Sequence, residues 1–250
     1  MSKKLPDQTI KTELLIHDLK VPISVIDAGA KSLLNRQDSY GPLTEKQVKV
    51  LKRILRNTLT TQRLVNDALE LGRSREGVMI TSDFLVSSLV ISVLMEVFDL
   101  SNANISDIIR QIESYEELCQ CVHSSGLILC FNRETWQTTV HQDEAKVRQI
   151  LRNLVTNAFK HRANWIEIAG CIEQQCLVFR VKDDGKGIPP VDHQRIFQTY
   201  FSGGVPIDSA IRSHGLGLAG VMVLLRDMGG ELILESDDGK GAEFIVKIPI

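Results

Sequence analysis

The sequence predicts an α+β chain in which an N-terminal antiparallel helical hairpin, residues 1–76, precedes a layered domain of mixed strands and helices, residues 77–250. Three observations carry that expectation: two long segments with apolar residues near heptad spacing, a break in pattern around Gly72 to Gly77, and short runs rich in branched and aromatic residues beyond it.

The first helix is read from Leu15, Leu19, Pro22, Ile26 and Leu33, and the second from Val48, Leu51, Leu55, Thr58, Gln62, Val65 and Leu69. Between them Arg36 to Leu43 form a polar turn, and Thr44-Glu45-Lys46-Gln47 fits a capping box that opens the second helix. Pro22, inside the first helix, is expected to kink it. A lone two-helix hairpin cannot hide two apolar stripes, so pairing with a second copy as a four-helix bundle is expected. The alternative is packing of the hairpin on its own downstream domain.

Beyond the hairpin, helical segments are expected near residues 84–97 and 106–123. The strand runs are Leu127–Phe131, Trp165–Ala169, Leu177–Val181, Glu231–Glu235 and Phe244–Ile248. Interleaved runs of this kind indicate a mixed sheet layered on helices. Either Ser82-Asp83-Phe84-Leu85 or Val97-Phe98-Asp99-Leu100 could be the first element of this domain.

A hydrophobic share of 43% and a charged share of 24% belong to an ordinary globular chain. The net charge of −2 gives no global reason to expect nucleic acid or an anionic membrane as partner. Cys119, Cys121, Cys130, Cys171 and Cys176 lack metal-ligand spacing and are expected to be reduced packing residues of a cytoplasmic domain. The most apolar stretch, Phe84 to Phe98, is shorter than the roughly 20 residues that span a bilayer and reads as a buried helix. No apolar leader block stands at the start, although an upstream sensor or membrane segment is compatible with the reading.

The chemistry is concentrated in the second half. Within Gln149 to His161, Asn153 and Asn157 stand four apart on one helix face, with Lys160 close to it. Two carboxamide oxygens and an ammonium suit a magnesium-triphosphate group, since Mg²⁺ takes hard oxygen ligands and phosphates take positive charge. A solvated surface helix would show the same residues. Next, Asp183-Asp184-Gly185-Lys186-Gly187 follows a strand; its glycines allow close backbone approach, and a strand-end carboxylate can accept from an exocyclic amine such as that of adenine. By itself this is also what a tight turn looks like. Then His214-Gly215-Leu216-Gly217 opens a helix whose free N–H groups suit phosphate.

Taken in order, the Asn helix, Asp-x-Gly-x-Gly, Arg195-Ile196-Phe197 and Gly-Leu-Gly-Leu resemble the N, G1, F and G2 boxes of the GHKL ATPases over residues 143–250. The resemblance implies a Bergerat-type α/β sandwich that binds ATP with Mg²⁺. By that likeness Asn153 and Asn157 would hold the metal and Asp183 would read adenine. Lys160, His161 and Arg195 would touch phosphate or ribose, and Gly185, Gly187, Phe197, Gly215, Leu216 and Gly217 would complete the nucleotide site. Ser202 to Ser213 would form a mobile lid.

Ile16-His17-Asp18-Leu19-Lys20-Val21-Pro22 further resembles the H box of sensor histidine kinases, and Arg63 to Leu71 resembles the end of their second bundle helix. That family phosphorylates a histidine from ATP and passes the phosphoryl group to an aspartate of a response regulator receiver domain. Two positions from both Leu15 and Leu19, His17 lies about 200° around the helix from the apolar seam and faces outward. A neutral imidazole is a nucleophile near pH 7, and Asp18 can orient or take its proton. The competing readings are a GHKL ATPase that is not a kinase, which leaves the H box unexplained, and a catalytically weak scaffold.

Three positions depart from the family pattern. Val21 stands where members that dephosphorylate their regulator usually carry Thr or Asn, Asp184 replaces a common Asn, and Ser213 stands where Gly is frequent.

Overall fold

The computed structural model describes residues 12–75, 77–101, 103–198 and 217–250. The chain divides into two compact units between Gly72 and Arg73.

The first unit holds α1 (Thr12–Asn35), α2 (Gln37–Tyr40) and the start of α3 (Glu45–Arg75). Ile23 of α1 and Val65 of α3 form a small buried cluster, with Leu69 packed on it. The capping box is present: the Gln47 N–H donates to Thr44 Oγ1 at 3.3 Å, and the Thr44 N–H donates back to Gln47 Oε1 at 2.8 Å. The expected polar turn contains one helical turn, α2, closed by Gly41 at φ +89°. Helix α1 continues through Pro22.

The second unit opens with β1 (Ser82–Leu85), then α4 (Val86–Ser101), α5 (Ala103–Ile109), α6 (Tyr115–His123), β2 (Leu127–Phe131), α7 (Arg133–Trp136) and β3 (Thr139–Gln142). There follow α8 (Glu144–His161), β4 (Ile166–Glu173), β5 (Cys176–Asp183), α9 (His193–Gln198), α10 (Gly217–Asp227), β6 (Glu231–Ser236) and β7 (Ala242–Pro249). Five strands make a mixed sheet in the order β2-β4-β5-β7-β6, parallel only between β2 and β4, while β1 and β3 pair antiparallel on their own. The choice left open by the sequence resolves to Ser82–Leu85, and Val97 to Leu100 lie in α4.

One face of the sheet is buried. Leu127, Leu129 and Phe131 of β2, Ile166 and Ile168 of β4, Phe179 and Val181 of β5 and Phe244, Val246 and Ile248 of β7 are all buried. Strand alternation sends Arg180, Lys182 and Glu243 to the opposite side, where they pair at 3.7–3.8 Å. Helix α8 packs on β5 and lies between α4 and α10. Its apolar face is Val147, Ile150, Leu151, Leu154, Val155 and Ala158, all buried. Fully burying each such side chain stabilises the fold by about 1.5–3 kcal/mol, Ala158 less.

The edge strand β2 is shielded by Tyr115, whose hydroxyl donates to the Leu129 carbonyl at 3.1 Å and accepts from the Phe131 N–H at 3.0 Å. Burial pushes the phenol pKa up to about 12, so this latch stays protonated at any ordinary pH.

Three expectations need correction. The segment 106–123 is two helices, because Ser114 in extended conformation caps α6 by accepting from the Glu117 N–H. The helix expected at Phe84 begins at Val86, and Phe84 belongs to β1. The cysteines are all free thiols, but none lies in the buried core, and Cys130 is exposed because it alternates with Leu129 and Phe131 on β2.

Candidate nucleotide site

Asp143 starts α8 as an N-cap, its Oδ1 accepting from the Lys146 N–H at 3.2 Å. The helix then carries Asn153 and Asn157, both half-buried, and ends with Lys160 and His161 in its last turn. The Asn153 Nδ2 is buried without a hydrogen-bond partner among the described residues, an orphan donor that an anionic ligand would satisfy. His161 has its pKa lowered by desolvation first and by the Lys160 charge second, against an opposing pull from Asp183, which favours a neutral imidazole.

Asp183 ends β5 and is only 3% exposed. Its Oδ1 accepts from the Gly185 N–H at 2.9 Å. Burial raises its pKa, against the lowering pull of the Gly185 N–H, His161 and the Ala242 N–H. The next acid has a separate task. Asp184 Oδ1 accepts from the N–H groups of Ala163, Asn164 and Trp165 at 2.9–3.0 Å and so ties down the loop that leaves α8. Desolvation opposes its charge, but those donors and the Asn164 amide together hold its pKa below the usual range.

The glycines of this turn are required by contact. A Cβ on Gly185 would stand 2.2 Å from the His161 carbonyl oxygen, so the turn lies directly on the end of α8. Gly187 has φ +74°, and its Cβ would stand 1.9 Å from the Asp237 carbonyl oxygen. The turn is stapled to the β6–β7 connection: the Gly239 N–H donates to the Lys186 carbonyl at 2.6 Å, and Ser236 Oγ accepts from the Ile188 N–H while donating to the Gly241 carbonyl.

Helix α10 completes the arrangement. Its last residue, Asp227, meets Lys146 of α8, and the two helices pack along each other. Counted from that contact, Asn157 stands about 16 Å along α8 and Gly217 about 15 Å along α10 at 1.5 Å per residue. The pair is therefore antiparallel, with Asn157 and the positive N-terminal end of α10 at the same end. Among the described residues, a Cβ on Gly217 would meet nothing within 4 Å.

The structure thus brings Asn153, Asn157, Lys160, His161, Asp183, Gly185, Gly187 and Gly217 into one region of the second unit. Phe197 is half-buried on α9, and Arg195 is exposed there, bound to Asp192 Oδ1 at 2.8 Å. Gly215, Leu216 and the expected lid Ser202 to Ser213 lie outside the described residues, as does the side chain of His17, whose backbone belongs to α1. Asp18 is exposed on α1. Among the described residues no group of three or more His, Cys, Asp and Glu side chains could hold a metal ion. Sequence reading missed Lys146, Asp227 and the tying role of Asp184, although Asp143-x-x-Lys146 at a helix start was a visible signal for the first.

Two family models match the chain: "His Kinase A (phospho-acceptor) domain" over residues 15–77 and "Histidine kinase-, DNA gyrase B-, and HSP90-like ATPase" over residues 142–250. The circadian input-output histidine kinase CikA of Synechococcus elongatus is 27% identical over 243 residues, covering 93% of this chain and 29% of that protein. The aerobic respiration control sensor protein ArcB of Escherichia coli is 27% identical over 253 residues, covering 97% of this chain and 28% of its own length. This chain therefore spans less than a third of those relatives. Among solved structures, full-length ShkA in complex with AMPPNP superposes with a TM-score of 0.63 at 23% identity, covering 95% of this chain and 45% of that one. Acinetobacter baumannii histidine kinase AdeS gives 0.54 at 19% identity, covering 93% and 97% respectively. At those identities the structural likeness establishes the fold.

Proposed function

Since the chain belongs to the sensor histidine kinases and comprises their catalytic core, we propose that it phosphorylates its own His17 from ATP and passes the phosphoryl group to an aspartate of a response regulator receiver domain. The observation that carries this reading is the convergence of the Asn153–Asn157 face, the Asp183 turn and the N-terminal end of α10, with a buried orphan donor on Asn153.

Bound ATP would supply the γ-phosphoryl group, and Mg²⁺ the neutralisation of its charge. The chain's own residues divide the remaining work. Asn153 and Asn157 offer oxygen ligands and donors along one helix face. Asp183 accepts from the adenine amine, and the Gly185 and Gly187 backbone lets the base approach. Lys160, neutral His161, Arg195 and the N–H groups of Gly215, Leu216 and Gly217 contact phosphate or ribose, and Phe197 covers the base. His17 presents the nucleophilic ring nitrogen, and Asp18 orients or takes its proton.

The helical unit is read as half of a homodimeric four-helix bundle. Leu19 and Ile26 on α1 are 44% and 52% exposed, and Val50 and Ile54 on α3 are exposed as well, although Ile23 and Val65 are already buried within the hairpin. Among the described residues no helix is long and apolar enough to cross a membrane. Use of ATP and free thiols both suit the cytoplasm.

Incubation with γ-labelled ATP and Mg²⁺ tests the reading. Acid-labile, alkali-stable label on the protein is expected; release of free phosphate alone would indicate an ATPase, and no turnover a scaffold. Val21, one turn after His17 and 55% exposed, has no group to orient a hydrolytic water. Phosphatase activity toward the cognate phosphorylated regulator is therefore expected to be weak or absent, and rapid ADP-stimulated decay of that regulator in the presence of this chain would refute the expectation.

A further inference from the structure

The buried charge cluster at the start of α8 has no part in the nucleotide contacts above. Lys146 is 0% exposed, a rare position for an ammonium group, and it is fully partnered. Its Nζ meets Asp227 Oδ2 at the end of α10, donates to the Val78 carbonyl at 2.7 Å, lies 3.3 Å from Met79 Sδ and 3.9 Å from Asp143 Oδ2. Asp143 in turn accepts from the Ile80 N–H at 3.0 Å through the same Oδ2, and its own N–H donates to Gln142 Oε1. Three pieces of chain therefore end on one ammonium: residues 78–80, the first turn of α8 and the last residue of α10.

Residues 78–80 follow closely in sequence on α3, whose last residue is Arg75. The other two pieces are the far ends of the helices whose opposite ends hold Asn157 and Gly217. A buried ammonium tolerates few arrangements, because losing any one partner leaves a desolvated charge uncompensated.

We propose that Asp143, Lys146 and Asp227 are positioning residues that couple the segment 78–80 to nucleotide binding, resting on the reading of the α8–α10 pair as the ATP site. Drawing the Val78 carbonyl and Ile80 N–H away loosens Lys146 from Asp227, shifts α10 against α8 and weakens nucleotide binding. By reciprocity, bound nucleotide holds segment 78–80 more firmly. An upstream signal acting on α3 would thus reach ATP affinity through the Val78 carbonyl and the Ile80 N–H, backbone groups that side-chain substitutions at residue 78 leave in place.

Hydrogen exchange on the full chain, with and without saturating Mg²⁺ and a non-hydrolysable ATP analogue, tests this. In the wild type the Ile80 amide is expected to slow by about fivefold or more, the lower end of ordinary coupling between sites. Lys146→Met with Asp227→Leu replaces the pair by apolar residues that keep the helices packed. In that double variant the analogue is expected to slow the amides of the Asp183 turn but no longer that of Ile80. Lys146→Arg, which keeps the charge, is expected to retain the response at Ile80. A wild type in which the Asp183 turn is protected and Ile80 unchanged would overturn the proposal, as would a double variant that still protects Ile80. Protection nowhere in the wild type would instead sink nucleotide binding at this site, and the proposal with it.

Discussion

Asp183→Asn is expected to weaken ATP binding about 10- to 100-fold, from hydrogen bonds to a charged group worth about 1.5–3 kcal/mol. The loss should sit at the upper end, because an asparagine NH₂ turned toward the adenine amine sets donor against donor. The substitution is also expected to change how stability depends on pH. Burial raises the Asp183 pKa in the folded chain above its unfolded value, so folding favours the protonated acid. The wild type is therefore free of this penalty at pH below the unfolded carboxyl range. It acquires the penalty as pH rises from there through the raised folded value. Asparagine does not titrate, so the stability of the variant relative to wild type should rise with pH across that window and level off above it. Calorimetric titration with ATP and thermal melts at pH 4 and pH 8 measure both effects. Unchanged affinity, or a relative stability that falls with pH, would contradict the placement of Asp183 as a buried, ligand-facing acid.

Gly187→Ala is expected to destabilise the second unit by about 3 kcal/mol or more, since it combines left-handed backbone strain with overpacking against main chain. The φ of +74° would disfavour any side chain, and the Cβ would lie 1.9 Å from the Asp237 carbonyl oxygen and 3.0 Å from that of Gly241. Neither neighbour is a flexible side chain that can swing aside. At about 2–4 °C per kcal/mol for a unit of this size, Tm should fall by about 6–12 °C. Gly239→Ala provides the comparison: its φ is +75°, but a Cβ there meets nothing within 4 Å. Only backbone strain applies, and about 1–2 kcal/mol is expected. Equal shifts for the two variants would mean that the stapling of the Asp183 turn to the β6–β7 connection contributes nothing.

Much of the arrangement was legible in the sequence where the determinants are local. The capping box at Thr44 and Gln47 is a four-residue signal, the shared face of Asn153 and Asn157 follows from helical period, and the Asp183 turn is marked by its own glycines. The two-stranded β1–β3 pair was harder because each strand has four residues, too few for alternation to stand out, and β1 runs directly into the largely apolar start of α4. Cys130 looked like a packing residue by type, yet strand register alone decides which face it takes. Asp184 was visible as a departure from the family pattern, but its hold on Ala163, Asn164 and Trp165 joins positions some 20 residues apart. Lys146 is the extreme case. A lysine in the first turn of an amphipathic helix looks solvated until Val78, 68 residues before it, and Asp227, 81 residues after it, close around the ammonium.

Mapping the phosphopeptides of the full chain after a single turnover with Mg²⁺ and ATP tests the central claim most directly. Phosphoryl label is expected in the one peptide that contains His17 and in none from His17→Gln, while that variant binds ATP with wild-type affinity. Label on another residue, or label that persists when His17 is replaced, would contradict the account.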